Sequence, residues 1–443
     1  MLVRRYNMSI SIREYLRRGP STSKEIQAAT GLSQSSVARQ LKGMGDSVIQ
    51  LPQGRSVKYA ATCNAFGAND KLPLGMVDAS GNTVLIAYLR PLSHGGFFVE
   101  PAAQISPLLL GENNDGLYDG LPYFLFDLRP QGFLGRQIAQ KMASLSDDFP
   151  GDPRHWNTNH IGRYLMSNGD DLPGNFKFGE QVLLRVRRNP VAVFEDDYPE
   201  LADSVMKGKV PGSSAGGEQP KFTGFNGDLF SHVIVKFSPQ GNSDLAERWR
   251  DILITEYHAA KIIQEQGLPT ADTRLLEKGE RLFLETRRFD RMGEYGRTTM
   301  ISLQAIDAEF VGLGTNWPQM IKALFKQKFI SEQDVLNTEF LWHFGRLINN
   351  TDMHSGNLSL SMENETFRLL PLYDMCSMGF APKSPAEVAP YHFVPPDPET
   401  FNISKDLLKI LKKTACDFWE SVAGDDRTSK EFKKFLQHKT PVP

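Results

Sequence analysis

The sequence predicts a mixed α/β (α+β) chain of several domains, and three observations support this. The chain has 443 residues, more than a single core of roughly 100–200 residues accommodates. Its charge is divided. Residues 1–60 carry ten Lys/Arg against Glu14, Glu25 and Asp46, about +7, so the remainder sits near −9 within a net charge of −2. Finally, the first sixty residues read mainly as short helices, whereas strand-like runs and longer helical runs come after them.

With 40% hydrophobic and 23% charged residues, the composition is that of a folded soluble protein, not a disordered or collagen-like one. MLVRRYNMSI has no apolar leader region, and no run approaches the roughly 20 apolar residues a bilayer span requires, so a cytoplasmic location is expected. Cys63, Cys376 and Cys416 have no paired spacing for a disulfide framework or a zinc site, and are expected to be reduced, buried and inert.

The first element expected is a helix over Ile10–Arg18, stopped by Gly19-Pro20. In STSKEIQAATG, Ser21, Thr22 or Ser23 caps a second helix and Gly31 turns the chain into a third, Ser33–Met44. Val37, Leu41 and Met44 recur at i, i+4 and i+7 and face inward. Gln34, Ser35, Arg39 and Gln40 are left outside, suited to a major groove. SVIQLPQGRSVKYAAT then predicts two strands around a Pro-Gln-Gly turn, with Arg55 and Lys58 reaching for phosphates, as in the wing of a winged helix-turn-helix. The alternative is a small basic module that contacts protein.

ATCNAFGANDKLP, residues 61–73, reads as a linker. GNTVLIAYLR and GGFFVE predict strands, GFLGRQIAQKMASL and Asn159–Met166 helices. In PGSSAGGEQPKFTGFNGDLFSHVIVKF, the loop Ser213–Gln219 offers backbone amides to an anion, because Gly216 and Gly217 lack a β-carbon. Strands Lys221–Gly224 and Leu229–Phe237 come next, joined by the hairpin signal Asn226-Gly227. The second strand delivers Lys236, and the loop, hairpin and lysine together form what a nucleotide phosphate site needs; taken singly, the loop reads as an ordinary turn and the lysine as one snorkelling to solvent. A helix from Asp244 to Gly267 carries Glu256, which pairs with Lys236 as a helix glutamate does in protein kinases if the helix packs beside that strand, and is otherwise a solvated surface glutamate. RLFLETRRFDR is a strand leading to an extended connector that offers backbone groups to adenine.

LINNTDMHSGNLSL sets Asp352 and Asn357 at the D-x-x-x-x-N spacing that kinase catalytic loops use for the base and a metal-binding amide. A carboxylate accepts the proton of an attacking hydroxyl, and an amide oxygen is a hard donor suited to Mg²⁺. A later hairpin returns Asp374 beside Asn357 as a second metal ligand. His354 either touches a phosphate or closes the loop. The competing explanation is a structural loop in which Asp352 caps a turn and Asn357 takes a left-handed backbone. Chain order favours the kinase: loop, strand lysine, D-x-x-x-x-N, then the later aspartate.

SAGGEQPK, VIVKF, RRFDR, NNTDMHSGN and LPLYDM also resemble the HipA family of bacterial serine/threonine kinase toxins over residues 73–443, as does GLPYFLFDLRPQGFLGRQIA. The resemblance implies a two-lobed protein-kinase-like fold with a HipA-like N-terminal subdomain (73–145), a small lobe (146–290) and a mainly helical large lobe (291–443), behind the winged helix-turn-helix domain (1–62) that the first residues predict by themselves. It implies ATP and Mg²⁺ as cofactors, Asp352 as the catalytic aspartate, and Asn357 and Asp374 on the metal. Gly216, Gly217, Glu218, Gln219, Pro220, Lys221 and Lys236 would surround the phosphates, with the backbone of Arg287, Arg288 and Phe289 around adenine. Ser214, or Ser213 beside it, aligns with the loop serine such kinases phosphorylate on themselves. Glu218 departs from the family pattern by setting an acid close to the phosphates. The fused DNA module departs from it too, since typical members rely on a separate HipB-like antitoxin. The expected activity is a Ser/Thr protein kinase acting on a protein substrate, tethered to double-stranded DNA and able to pair as a homodimer. The alternatives are a transcriptional regulator whose kinase-like part senses nucleotide with weak or no catalysis, and a small-molecule kinase.

Overall fold

A computed structural model describes residues 10–51, 57–185, 189–208, 219–382 and 388–438. Three short helices open the chain: α1 (Ile12–Leu16), α2 (Ser23–Thr30) and α3 (Gln34–Gly43). Ser11 and Thr22 close capping boxes with Glu14 and Glu25, so the boundaries of α1 and α2 are chemically fixed. Gly31 ends α2 at φ 71°, the left-handed turn that glycine adopts without strain. Ile12, Leu16, Ile26, Val37 and Leu41 bury between the helices. A small sheet, β1 (Ser21–Thr22), β2 (Val48–Leu51) and β3 (Lys58–Ala61), pairs in the order β1-β3-β2.

The expected linker at 61–73 is overturned. Phe66 is buried in the main core, stacked on Phe97 and edge-on to Phe178. Cys63 N–H donates to Pro91 O, and Ser93 N–H to Ala61 O. Arg90, 1% exposed, donates to the backbone oxygens of Asp46 (2.6 Å) and Asp70 (2.7 Å) and pairs with Glu100. Ile49, Leu51 and Ala60 share a hydrophobic cluster with Leu92 and Phe98, so the basic module is packed against the body of the protein. Small polar residues suggested a loose connector, but one aromatic and one buried guanidinium tie it down. Cys63 is exposed and Cys416 half-buried; only Cys376 fits the expectation of burial.

The second unit is an antiparallel sheet of β4 (Leu72–Val77), β5 (Thr83–Pro91), β6 (Phe97–Pro101), β7 (Leu117–Tyr118) and β8 (Phe176–Phe178), ordered β7-β6-β5-β4-β8. It is accompanied by α4 (Gly132–Leu145), α5 (Thr158–Asn168) and α6 (Glu180–Leu184). Because β8 pairs with β4, the expected boundary at 145/146 falls inside this unit.

The third unit is built on the sheet order β12-β13-β11-β10-β9, formed by β9 (Ala192–Val193), β10 (Lys221–Asn226), β11 (Ser231–Phe237), β12 (Thr273–Lys278) and β13 (Arg281–Arg287). Helix α7 (Tyr198–Met206) packs Tyr198, Ala202 and Val205 against Phe222, Val235 and Phe283. The long α8 (Asp244–Glu265) packs Leu253 and Ile254 against Leu282 and Leu284. The β10–β11 hairpin forms, but its loop is four residues, 227–230, not the two that Asn226-Gly227 suggested. The Asn226 side chain accepts the N–H groups of Asp228 and Leu229 and so organises a longer turn.

The fourth unit begins with two short pairs, β14 (Arg291–Met292) with β15 (Gly296–Arg297) and β16 (Ile301–Ser302) with β17 (Ser359–Glu363); β17 in turn pairs with β18 (Thr366–Leu369). Around them lie α9 (Leu303–Phe310), α10 (Trp317–Lys326), α11 (Glu332–Leu347), α12 (Lys405–Gly424) and α13 (Lys430–His438). Phe344, Leu347, Phe418 and Val422 centre a core that continues into the second unit.

Candidate nucleotide cleft

β10 and β11 run antiparallel with Lys221 directly opposite Lys236, so both ammonium groups leave the same face of the sheet. α8 crosses that face and presents Glu256, whose carboxylate oxygens lie 2.6 and 2.7 Å from Lys236 Nζ. Asp374 Oδ1 reaches the same nitrogen at 2.5 Å. The expected lysine–glutamate pair therefore forms, and the late aspartate joins it.

Burial alone would lower the pKa of Lys236, but Asp374 and Glu256 outweigh it and hold the ammonium well above ordinary lysine. Burial raises Glu256, with Lys236 opposing. Burial would also raise Asp374; Lys236 and Lys221 overcome it and the carboxyl stays below its usual range. Two lysines and two carboxylates thus make a buried, near-neutral quartet.

The segment that carries Asp352 is shaped by its flanks. α11 ends at Ile348, and Asn349 reverses the chain at φ 60°. Asn350, buried, accepts Asp352 N–H at 3.0 Å and donates its own N–H to Gly345 O. A Cβ at Gly345 would fall 2.5 Å from Met353 Sδ, so the Met353 side chain fills the space that this glycine leaves. Asn357 donates its amide to Asp352 O (2.7 Å) and Oδ2 (3.3 Å), which leaves its amide oxygen for another partner. It is Asp374, not Asn357, that takes the left-handed backbone, at φ 56°. His354 lies 3.8 Å from Asp352 Oδ1 and caps Gly356 N–H through Nδ1, so it both closes the loop and faces the acid. Tyr373, next to Asp374, bonds Ser359 Oγ at 2.7 Å and Gly356 O at 3.2 Å, tying that segment to the loop.

Lys221, Lys236, Arg287, Arg288, Phe289, His354, Asn357 and Asp374 line one cleft of about 1200 Å³, solvent included. Half-exposed Asp352 is bonded to Asn357 at its edge. Gln219 and Pro220 do not line the cleft; Gln219 is buried, and its amide nitrogen is unpartnered among the described residues. Ser213, Ser214, Gly216, Gly217, Glu218 and Arg55 lie outside the described residues. The connector is more engaged than expected. Arg287 N–H donates to Asp272 O and Arg288 N–H to His232 O, while the Arg288 side chain is buried on Asp290. Phe289, its ring centroid 5.6 Å from that of Tyr373 and tilted by 34°, remains as an aromatic wall.

Asp127, Arg129 and Gln131 also line the cleft, from the second unit. Asp127 accepts the N–H and hydroxyl of Ser302 at 2.7 Å and is raised by burial. The FDLRPQG segment holding them was visible in sequence, but nothing in its spacing announced a role.

On the basic module, Gln34, Ser35, Arg39 and Gln40 are exposed along α3 and Lys58 is half-buried on β3.

The architecture and the lysine–glutamate–aspartate cleft define a HipA-like, kinase-like protein. Residues 68–187 match the model of the YjjJ-like toxin middle domain and residues 213–416 that of the HipA-like C-terminal domain. The chain is 34% identical to Toxin YjjJ of Escherichia coli (strain K12) over 440 residues, 96% of this chain and 95% of the relative, and it belongs to that toxin family. The Shewanella oneidensis MR-1 HipA structure, in complex with HipB and operator DNA, superposes with a TM-score of 0.55 at 17% identity over 84% of this chain and 95% of its own. The Helicobacter pylori proinflammatory kinase CtkA superposes with a TM-score of 0.37 at 17% identity, over 52% of this chain and 90% of its own. Among the described residues no helix is long and apolar enough to cross a membrane.

Proposed function

We propose that the protein is an ATP- and Mg²⁺-dependent serine/threonine protein kinase that phosphorylates itself on Ser214 or Ser213 and acts on a protein substrate. One observation carries this reading: Lys236, clamped by Glu256, meets Asp374 in the cleft that Asn357 lines beside Asp352. The residues fit both groups. Lys221 and Lys236 supply charge for phosphates, and the Asn357 amide oxygen and the Asp374 carboxylate are hard donors of the kind Mg²⁺ takes, one or two from protein with the rest from phosphate and water. Bound magnesium would neutralise charge developing on the transferred phosphoryl group. Glu256 orients Lys236, Asn357 fixes the Asp352 carboxylate, and Asp352 accepts the proton of the attacking hydroxyl. His354 stands 3.8 Å from that carboxylate.

The test uses purified protein and labelled ATP. Wild type acquires label; Asp352→Asn loses about 10²–10⁴-fold in rate while its circular dichroism is unchanged. Equal labelling of the mutant removes Asp352 from the mechanism.

A second element concerns residues 1–62. The outward Gln34, Ser35 and Arg39 on α3 and the basic charge favour a winged helix-turn-helix that binds duplex DNA, with Arg55 and Lys58 on the backbone. A cytoplasmic location, a HipB-like antitoxin and a homodimer belong to the same reading; the complex of the Shewanella relative supports antitoxin and DNA as partners. Nucleotide binding without turnover, together with operator binding, would favour a regulator with a weak kinase-like domain instead.

A further inference from the structure

A second cavity lies between the five-stranded sheet of the second unit and the short β14–β15 ribbon, about 1550 Å³ with solvent included. Lys177, Arg185, His232, Arg291 and Arg297 are among its lining residues, facing Asp170, Asp171 and Glu294. Its inner wall is an ion network. Arg288 and Arg291 both pair with Asp290, at 2.9 and 2.6 Å, and Arg291 with Asp171 at 2.7 Å; Arg297 stands 4.0 Å from Asp171. Asp170, the next acid, is taken by Arg185. Three guanidiniums therefore share two carboxylates.

The shortfall is visible in unmet hydrogen bonds. Among the described residues, Arg291, whose side chain is 2% exposed, has an unpartnered Nε, and Arg297, 13% exposed, an unpartnered Nη1. A buried donor on a charged group left unmet is costly. Burial, and next the like charge of Arg291, lower Arg297 to about 9, so the guanidinium is short of anionic company. His232 cannot supply it. Its Nε2 is bonded to Glu294 O, and burial keeps its pKa below the ordinary histidine value.

We infer that this cavity is a binding site for a phosphoryl group, carried by inorganic phosphate or pyrophosphate or by a small organic phosphate ester, with Arg291 and Arg297 as its principal donors. Forked guanidiniums match phosphate oxygens, and one added anion balances the network. The site differs from the nucleotide cleft but shares a wall with it: Arg288 lines the cleft, Arg291 the cavity, and both hold Asp290. Occupancy draws Arg291 toward the ligand and leaves more of Asp171 and Asp290 to Arg288, so the ligand acts on the cleft wall.

Isothermal titration calorimetry on the full chain with sodium pyrophosphate and with ribose 5-phosphate, both without magnesium, tests this. Wild type is expected to bind at least one of them. Pyrophosphate alone assigns the site to inorganic phosphates, and tighter ribose 5-phosphate to organic esters. Arg297→Gln is expected to weaken binding at least tenfold and Arg297→Lys by less. Should Arg297→Gln fail to fold by circular dichroism, Lys177→Gln is read instead, with about a threefold loss expected. No binding to wild type at millimolar ligand, or undiminished binding in folded Arg297→Gln or in Lys177→Gln, overturns the proposal. Undiminished binding in Arg297→Gln together with loss on Lys221→Met would show the phosphate seated in the nucleotide cleft, a result that leaves the kinase reading intact.

Discussion

Lys236→Met removes one cation from a buried quartet and leaves Lys221 to balance both Glu256 and Asp374. Glu256 is 5% exposed, so its charge has no water to lean on. Deleting one partner of a buried pair costs about 3–5 kcal/mol. The chain has a cheaper escape, which is to protonate Glu256. From an ordinary glutamate pKa near 4.3 that costs about 3.7 kcal/mol at pH 7, at about 1.36 kcal/mol per unit. The expected loss is therefore about 3–4 kcal/mol, or about 6–16 °C in melting temperature for a domain of this size. In the variant, the folded state holds a proton on Glu256 that the unfolded state releases. Its stability thus falls as pH rises above the ordinary carboxylate pKa, and the gap to wild type narrows by about 1.4 kcal/mol from pH 7 to pH 6. Lys236→Met/Glu256→Gln should recover much of the loss, because no unpaired buried charge remains. Thermal melts followed by circular dichroism at pH 6, 7 and 8 check this. A single variant that melts with wild type at pH 7, with no pH-dependent gap, would refute the buried quartet.

Gly162→Ala places Cβ 2.3 Å from the Phe66 ring, so a loss of about 1–3 kcal/mol is expected by urea denaturation, and Phe66→Ala in the same chain should erase the clash even as it lowers overall stability. Thr22→Ala deletes the α2 cap and should cost about 0.5–2 kcal/mol, read as a lower melting temperature. Arg39→Ala should weaken duplex binding and reduce the salt slope by about one in fluorescence anisotropy, provided that Arg39 touches a phosphate.

Local spacing carried the catalytic reading, because a loop's chemistry is written within a few residues. Asp352 and Asn357 bond each other over one short turn, and Glu256 lies on the helix that directly follows the lysine strand, 20 residues from Lys236. What escaped was long-range packing. Asp127 and Arg129 reach the cleft from more than 200 residues before Asp352, so no window of sequence holds both. The backbone of Arg288 reads as part of an adenine-binding connector, while its side chain serves a buried network that also draws in Asp171 and Arg291 from separate units. Phe66 was the overlooked sign in the connector, a large aromatic in a polar run that has to be housed somewhere.

The burial of Arg90 and the pooling of Ile49 and Leu51 with Leu92 and Phe98 bear on how the molecule can be dissected. A truncation starting near residue 70 would bare greasy surface and strand a guanidinium without its Asp46 acceptor, so the shortened protein should clump rather than behave as a tidy fragment. The front of the chain is a keystone, not a detachable bead, and a force applied there reaches the body directly.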